Sequence, residues 1–281
     1  MTAHAERAAM SEEEYRAYPV PSFSALKCFI SSTPAHFHHK IKATVAMEKG
    51  TAKHAALLEP HVFQSNYQVN PWKDFRKEEA KENRDSMALQ GVKVLSQKEY
   101  DEIAESAGKA WENPAASKLL TDTDREVKMF FEVDGVKLKG MADAMKVVDD
   151  GFCKTLYVID VKTTRDASDK ACSRRYNDWY YQMPMQLATY ALGAKAMFPD
   201  VDRVSAWVIF IEDKTNFVNV MEASPESLEY GENVLRIALS RYKECKKTGV
   251  FPSYNSNTEA NALELDPWMK ERYDNLLMEN K

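Results

Sequence analysis

Residues 138–164, LKGMADAMKVVDDGFCKTLYVIDVKTT, constrain the fold of this chain more than any other stretch. The alternation through Met141–Met145 and the apolar run that restarts after it are typical of β-strands. Asp143, Asp160 and Lys162 interrupt this pattern, although aspartate and lysine are among the residues least suited to a half-buried strand. Strands that carry such residues predict a site where charged groups are needed.

Strand geometry predicts that these three charged side chains converge. Side chains alternate along a strand, so Asp160 and Lys162 point to one face of the sheet, and Asp143 on an adjacent strand can reach that face. Two nearby carboxylates repel each other, and a hard divalent cation such as Mg²⁺ neutralises them while keeping waters for substrate phosphates. A lysine beside such a cation suits hydrolysis of a phosphodiester. Taken alone, an Asp-x-Lys pair is equally typical of a partly exposed charge pair on a strand.

The composition limits the classes of protein to which this chain can belong. With 281 residues, 44% of them hydrophobic, the chain can bury a sizeable core. Its formal charge of -5 does not attract nucleic acid overall, so any binding of nucleic acid would depend on local basic patches and bound metal. No stretch approaches the roughly 18 apolar residues of a membrane span. The N-terminus also lacks the apolar core of a signal peptide, so we expect a cytoplasmic protein with no membrane partner.

The remaining pattern predicts an α/β fold with a central mixed sheet of about five strands flanked by helices. A single domain over 22–281 is expected to follow a flexible N-terminal arm, 1–21. The predicted hairpin turns at Asp134-Gly135, and Ser24 and Thr33 are predicted N-caps. Helices are predicted within 22–41, 47–60, 96–120, 186–198, after 225 and in the tail. Strands are predicted at 125–148, 156–164, 203–213 and 216–222. Between these elements, 61–71 is predicted to be extended and 73–85 to be a solvated or mobile charged run.

Several short motifs occur in an order that resembles the PD-(D/E)XK nuclease superfamily. The element G-x-x-D ends at Asp143, and I-D-V-K-T-T follows at 159–164. Upstream, S-x-S-x-L-K at 22–27 and G-T-A-x-H at 50–54 resemble the N-terminal helices of the RecE-like group. That group includes exonuclease VIII and the lambda-type exonuclease. The resemblance, which covers about residues 22–190, implies a nuclease core with N-terminal helices that close the active site.

The resemblance also implies roles for individual residues. Asp143 and Asp160 become metal-binding carboxylates with a catalytic role, and Lys162 becomes the catalytic lysine. Val161 contributes its backbone carbonyl to the metal, and His54 is a further metal ligand from an N-terminal helix. Without the surrounding motif, a single histidine on a helix is more often a packed or surface residue.

A helix after these strands carries a candidate substrate contact. Gln186 and Tyr190, one turn apart, match the Q-x-x-x-Y element that contacts substrate in this superfamily. Gln182 is a rival for the glutamine role, and an ordinary amphipathic helix with a polar stripe is the alternative. Glu126 is either a further active-site acid or a surface charge. Thr163, Arg165 and Arg174 are predicted further contacts to substrate.

A basic and aromatic stretch follows the catalytic strand. Its arginines are suited to neutralise DNA phosphates, and its aromatic rings are suited to stack on end bases. The alternative is that the rings belong to the core and the arginines form a solvated rim. The members are Arg165, Lys170, Arg174, Arg175, Tyr176, Trp179, Tyr180 and Tyr181.

The function implied by the resemblance is that of a two-metal exodeoxyribonuclease. Such an enzyme degrades double-stranded DNA without ATP, here from 5′ ends, and leaves 3′ single-stranded tails for recombination or single-strand annealing. Mg²⁺ is the expected cofactor, with Mn²⁺ as a substitute, and no nucleotide is expected because G-x-x-x-x-G-K-[ST] is absent from the sequence. Expected partners are duplex DNA ends, copies of the chain in a ring of three or four subunits, and an annealing protein in a bacterial cell, with the chain encoded by a phage or prophage.

Alternative functions remain open at this point. One is a RecB-like nuclease or an endonuclease of other polarity, and another is a DNA-binding relative that has lost catalysis. A third is a small-molecule enzyme in which the Asp-x-Lys pair is coincidental. The four scattered cysteines lack the grouping that an iron–sulfur cluster requires, so no cluster is expected.

Overall fold

A computed structural model describes residues 6–7, 10–39, 44–72, 74–254, 260 and 262–279. The first elements are β1 (Glu6–Arg7), α1 (Glu12–Ala17), α2 (Phe23–Leu26), α3 (Cys28–Ser31), a 3-10 helix (Pro34–His38), α4 (Val45–Leu58), α5 (Pro60–Asn66), β2 (Tyr67–Val69), α6 (Glu78–Leu89), β3 (Lys93–Leu95), α7 (Gln97–Glu112) and α8 (Pro114–Leu120). They are followed by β4 (Asp124–Val133), β5 (Val136–Asp149), β6 (Lys154–Thr164), α9 (Asp169–Tyr176), α10 (Met183–Met197), β7 (Arg203–Glu212), β8 (Val218–Glu222), α11 (Pro225–Thr248) and α12 (Pro267–Glu279).

The main sheet has the strand order β1-β4-β5-β6-β7-β8. Strands β6 and β7 are parallel and the other neighbours are antiparallel. Because β1 contains only two residues, five full strands form the sheet, and helices flank it. The predicted α/β fold is confirmed. The predicted hairpin between β4 and β5 is confirmed as well, since Asp134 and Gly135 both have positive φ, as a two-residue hairpin turn requires.

Hydrophobic side chains cover both faces of this sheet. Leu156 and Val158 of β6 pack in a core cluster with residues of α10 and α11, whereas Ile159 and Val161 pack in another with residues of α4, α7 and α8. The alternation that the sequence shows therefore has an apolar partner on each side. Burial on both faces agrees with an uncharged run from Thr155 to Ile159, between Lys154 at the start of β6 and Asp160 and Lys162 toward its end.

Local differences from the expected fold include helix α6 and the pairing of β2 with β3, neither of which was predicted. The segment predicted to be extended, 61–71, begins as helix α5, because Pro60 fits a first helical turn and Phe63 is buried against the rings of Tyr67 and Tyr100. Ser22 rather than Ser24 precedes α2. Helix α9 was not predicted, and the Ser168 side chain caps it.

The described part of the N-terminal arm packs against the sheet. Ser11 and Glu14 form a capping box at the start of α1. At its other end, the buried ammonium of Lys139 on β5 donates to the carbonyls of Tyr15 (2.8 Å), Arg16 (3.0 Å) and Tyr18 (2.8 Å). Carbonyls at the end of a helix have no hydrogen-bond donor within the helix, and the Lys139 ammonium is that donor here. The division into an arm and one domain stays a prediction. Among the described helices, none is long and apolar enough to cross a membrane.

Candidate active site

The two aspartates lie where strands β5 and β6 separate. The pairing between these strands ends at Ala144 and Ile159, and Asp143 and Asp160 are the next residues on each strand. The backbone N–H of Val161 donates to Oδ2 of Asp143 at 2.5 Å. In a regular pair of strands this N–H would donate to a backbone carbonyl of the neighbouring strand, and here the Asp143 carboxylate accepts in its place. The unfavourable aspartates in strand sequence are explained by this opening of the sheet.

Asp160 is held by a lysine and a glutamine. Its side chain is 1% exposed, and Lys162 Nζ lies 2.7 Å from Oδ1 and 2.6 Å from Oδ2. The Gln186 amide donates to Oδ1 at 3.2 Å. Oδ2 has no partner in hydrogen-bonding geometry among the described residues, despite its closeness to Nζ. Burial raises the pKa of Asp160, and the Lys162 charge opposes this rise.

A histidine and a glutamate complete the group of possible metal ligands. His54 Nδ1 on α4 lies 3.7 Å from Oδ2 of Asp143. His54, Glu126 and Asp143 each offer one ligand atom, and these atoms lie within 4.8 Å of one another. Burial, together with the charge of Asp143, raises the pKa of Glu126 to about 8. Glu126 is thus half-buried beside His54 and Asp143, and its role as an active-site acid stays a prediction.

The backbone at Glu126 departs from regular strand geometry. Its φ of 47° is in the left-handed region, which is unusual for a residue with a long side chain. The pairing of β4 with β5 includes Arg125 with Ala144 and Val127 with Ala142 but skips Glu126. Strained backbone of this kind is concentrated at functional sites in proteins.

Contacts at both faces of α4 fix the position of His54. The carbonyl of Leu58, at the helix end, accepts from Arg125 at 2.6 Å, and that of Leu57 accepts from the Trp111 indole at 3.3 Å. One residue before the histidine, Lys53 is 5% exposed and donates to Asp213 at 2.7 Å. The helix is thus anchored to β4, to α7 and to the loop after β7.

Helix α10 supplies the glutamine that reaches the site. The Gln186 amide also donates to the hydroxyl of Tyr190 at 3.1 Å, and burial raises the pKa of that phenol. Gln182 lies at the start of the helix, and its amide instead donates to the carbonyl of Trp179 at 2.7 Å. Gln186, and not Gln182, is therefore the glutamine in contact with Asp160.

Two depressions flank the end of β6. The catalytic cleft, of about 420 Å³, is lined by Asp143, Asp160, Lys162, Gln186 and Tyr190, and also by Tyr15, Arg16 and Lys139. Sequence reasoning assigned no role to Lys139 on the predicted hairpin, and it missed Tyr15 and Arg16 because 1–21 reads as an arm. The capping box S-x-x-E at 11–14 was the available signal for a helix there.

The second depression, here the basic groove, has a volume of about 1060 Å³. Its charged residues are six bases, Lys49, Lys53, Arg165, Arg174, Arg175 and Lys214, and four acids, Glu102, Glu105, Asp178 and Asp213. It is therefore net positive on a net negative protein. Thr163, Arg165 and Arg174, predicted to contact substrate, line this groove rather than the catalytic cleft. Gly50 also lines it, and a Cβ there would meet the Thr163 hydroxyl at an ordinary 3.8 Å.

Comparison with known proteins gives one family and one fold. Residues 22–263 match the family described as PDDEXK-like domain of unknown function (DUF3799). A crystal structure from Eubacterium rectale, described as a "putative exonuclease", aligns with a TM-score of 0.63 and 12% identity over 94% of this chain and 98% of that chain. At this identity the likeness shows the fold alone. The structure of SSO0001 aligns with a TM-score of only 0.29 and 19% identity, over 68% and 84% of the chains, and supports no argument. No curated protein matches.

Proposed function

The chain belongs to the PDDEXK-like family DUF3799, and on this basis we propose that it is a divalent-metal-dependent exonuclease acting on DNA. The family and the fold support a nuclease. The observation that carries the proposal is the convergence of Asp143, Asp160 and Lys162 in one cleft, with His54 and Glu126 beside Asp143. Buried carboxylates that have no metal or cationic partner are costly, and three carboxylates here face one lysine.

The residues of the site fit a divalent cation. Oδ2 of Asp160 is a buried acceptor without a hydrogen bond among the described residues, and His54, Glu126 and Asp143 offer further ligand atoms that lie within 4.8 Å of one another. Carboxylate and carbonyl oxygens are ligands that suit both Mg²⁺ and Mn²⁺. We propose Mg²⁺ as cofactor with Mn²⁺ as substitute, Val161 adding its carbonyl, in a two-metal site.

The side chains of the chain have separable tasks in this proposal. A bound cation would supply a Lewis acid that polarises the phosphate and lowers the pKa of water. Lys162, held against Asp160, donates a hydrogen bond toward the attacking water and the phosphate oxygens, and so stabilises developing negative charge. Gln186 orients Asp160, and Tyr190 lies within hydrogen-bonding distance of Gln186. These two therefore act as positioning residues.

The finer parts of the proposal rest on the RecE-like order of the motifs. We propose attack on duplex DNA from 5′ ends without ATP, which leaves 3′ tails for recombination or annealing. The exonuclease description of the Eubacterium rectale protein agrees with end-directed cleavage. A ring of three or four copies, an annealing protein as partner, and a phage- or prophage-encoded protein in the bacterial cytoplasm belong to the same proposal.

Digestion of labelled DNA tests the proposal. Linear duplex labelled separately at its 5′ and 3′ ends, and a covalently closed circle, are incubated with Mg²⁺ or EDTA. Loss of the 5′ label from linear DNA only, abolished by EDTA and by Lys162→Ala, is the expected result. Lys154→Ala, an exposed position on the same strand, is the matched control and retains activity. Cutting of the circle favours an endonuclease, and no cleavage in Mg²⁺ or Mn²⁺ contradicts the proposal.

A further inference from the structure

Three consecutive aromatic side chains are exposed in the loop before α10. Trp179, Tyr180 and Tyr181, here the aromatic loop, are 67%, 58% and 43% exposed. The interpretation of these three rings as core residues is therefore wrong, although Tyr176, just upstream, packs against a core cluster. Exposed aromatic side chains in a row are uncommon on a protein surface unless the surface binds something.

The aromatic loop is held in one conformation. The carboxylate of Asp178 accepts from the N–H of Tyr180 at 2.8 Å, and the Gln182 amide donates to the carbonyl of Trp179 at 2.7 Å. Gln182 itself has φ of 53°, a left-handed conformation that needs support from its surroundings. A rigid loop loses little conformational entropy when a ligand stacks on its rings.

Cationic groups flank the rings. Lys27 Nζ lies 4.6 Å from the centre of the Tyr180 ring, and the Arg175 guanidinium lies 5.2 Å from that of Tyr181. Each cation lies over one face of its ring and adds positive charge beside the exposed rings, which attracts a phosphate backbone. Rings and cations side by side are the arrangement that single-stranded nucleic acid requires, because every unpaired base exposes a π-face.

Arg175 also ties the aromatic loop to the catalytic strand. Its guanidinium donates to the carbonyl of Thr163 at 2.6 Å, and Thr163 directly follows Lys162. Arg175 and Tyr181 both line the basic groove. The Tyr181 ring is therefore joined through one arginine side chain to the strand that holds the proposed catalytic lysine.

We propose that the aromatic loop is a stacking platform for unpaired bases of the DNA strand next to the scissile phosphate. The platform rests on the proposed function for its position in the reaction, but its binding is measurable without cleavage. Duplex bases present no free faces except at an end, so the platform favours frayed or single-stranded ends. Alanine substitution of a stacked aromatic residue is expected to weaken binding by about fivefold to about 150-fold.

Quenching of tryptophan fluorescence by a short oligothymidylate tests the platform on the full chain, in EDTA or Ca²⁺ so that binding is separated from cleavage. Trp179→Ala is expected to lose most of the quenching and to bind the oligonucleotide about fivefold to about 150-fold more weakly than wild type. Trp179→Phe keeps a ring and is expected to bind close to wild type. Trp268→Ala, on α12 and 57% exposed, is the matched control.

An oligonucleotide with abasic sites separates stacking from phosphate binding. Wild type is expected to bind it at least as weakly as Trp179→Ala binds the normal strand, and Trp179→Ala is expected to cause no further loss on the abasic strand. Equal wild-type affinity for both oligonucleotides, or unchanged affinity of Trp179→Ala, overturns the platform. A wild-type protein that shows the expected quenching yet cuts no DNA in Mg²⁺ or Mn²⁺ supports the platform and contradicts the proposed nuclease.

Discussion

Glu126 gives the sharpest test of the candidate site. Burial and the charge of Asp143 raise its pKa from the usual 4.5 to about 8. The folded protein without metal therefore keeps a proton on Glu126 that the unfolded chain loses above pH 4.5. Its free energy of unfolding is expected to fall as pH rises from 4.5 to 8 and to level off above that range. Replacing the acid by its neutral amide, Glu126→Gln, removes this dependence.

The size of the effect follows from the pKa difference. Each pH unit between 4.5 and 8 is worth about 1.4 kcal/mol, so Glu126→Gln gains at most about 5 kcal/mol over wild type by pH 8. Relaxation of the cleft around the new charge reduces this maximum. The pKa of Asp160 is raised as well, but Asp160 is present in both proteins, so the comparison isolates Glu126.

Urea denaturation in EDTA at several pH values from 5 to 9 measures the difference. Glu126→Gln is expected to become progressively more stable than wild type with rising pH. Mg²⁺ or Mn²⁺ then stabilises wild type at pH 9 more than the variant, because the variant has lost a ligand. Glu132→Gln, exposed on the same strand, is the control and shows no such trend. A difference between wild type and Glu126→Gln that stays constant over this pH range refutes the reasoning.

Two further predictions concern packing and metal binding. A Cβ on Gly231 would collide with the carbonyl of Pro184, so Gly231→Ala is expected to cost about 1–3 kcal/mol, whereas Gly108→Ala has open space and is expected to stabilise by about 0.5–1 kcal/mol. Thermal unfolding measures both, and equal shifts contradict the packing argument. His54→Ala is expected to raise the Mg²⁺ concentration for half-maximal cleavage by about tenfold or more. The control is His61→Ala, at an exposed position on α5, which is expected to leave this concentration unchanged. An unchanged Mg²⁺ requirement excludes His54 as a ligand.

The sheet and the three central charged residues are predictable from sequence because strand periodicity is local. Alternation assigns Asp160 and Lys162 to one face before any tertiary contact is known. The turn at Asp134-Gly135 fixes the pairing of β4 with β5 and so brings Asp143 beside Glu126. These features need only the sequence and the geometry of a pleated strand.

Other parts of the site depend on tertiary contacts that no local pattern carries. The left-handed backbone at Glu126 accompanies a break in strand pairing, and the choice of Gln186 over Gln182 follows from where α10 begins. The exposure of Trp179 depends on the loop that Asp178 and Gln182 hold in place. Such arrangements appear only when the elements are packed together.

The lysine that caps α1 sets a lower limit on a self-sufficient fragment of this protein. The family match begins at residue 22, yet the Lys139 ammonium is satisfied by carbonyls of Tyr15, Arg16 and Tyr18. A truncation at the family boundary would remove these three acceptors together with the rings of Tyr15 and Tyr18, whose centroids lie 5.9 and 4.8 Å from that of Phe130. We expect such a fragment to unfold at lower temperature than the full chain in a thermal unfolding measurement. We therefore expect the stretch of chain that folds stably to begin before residue 22, where the family match begins.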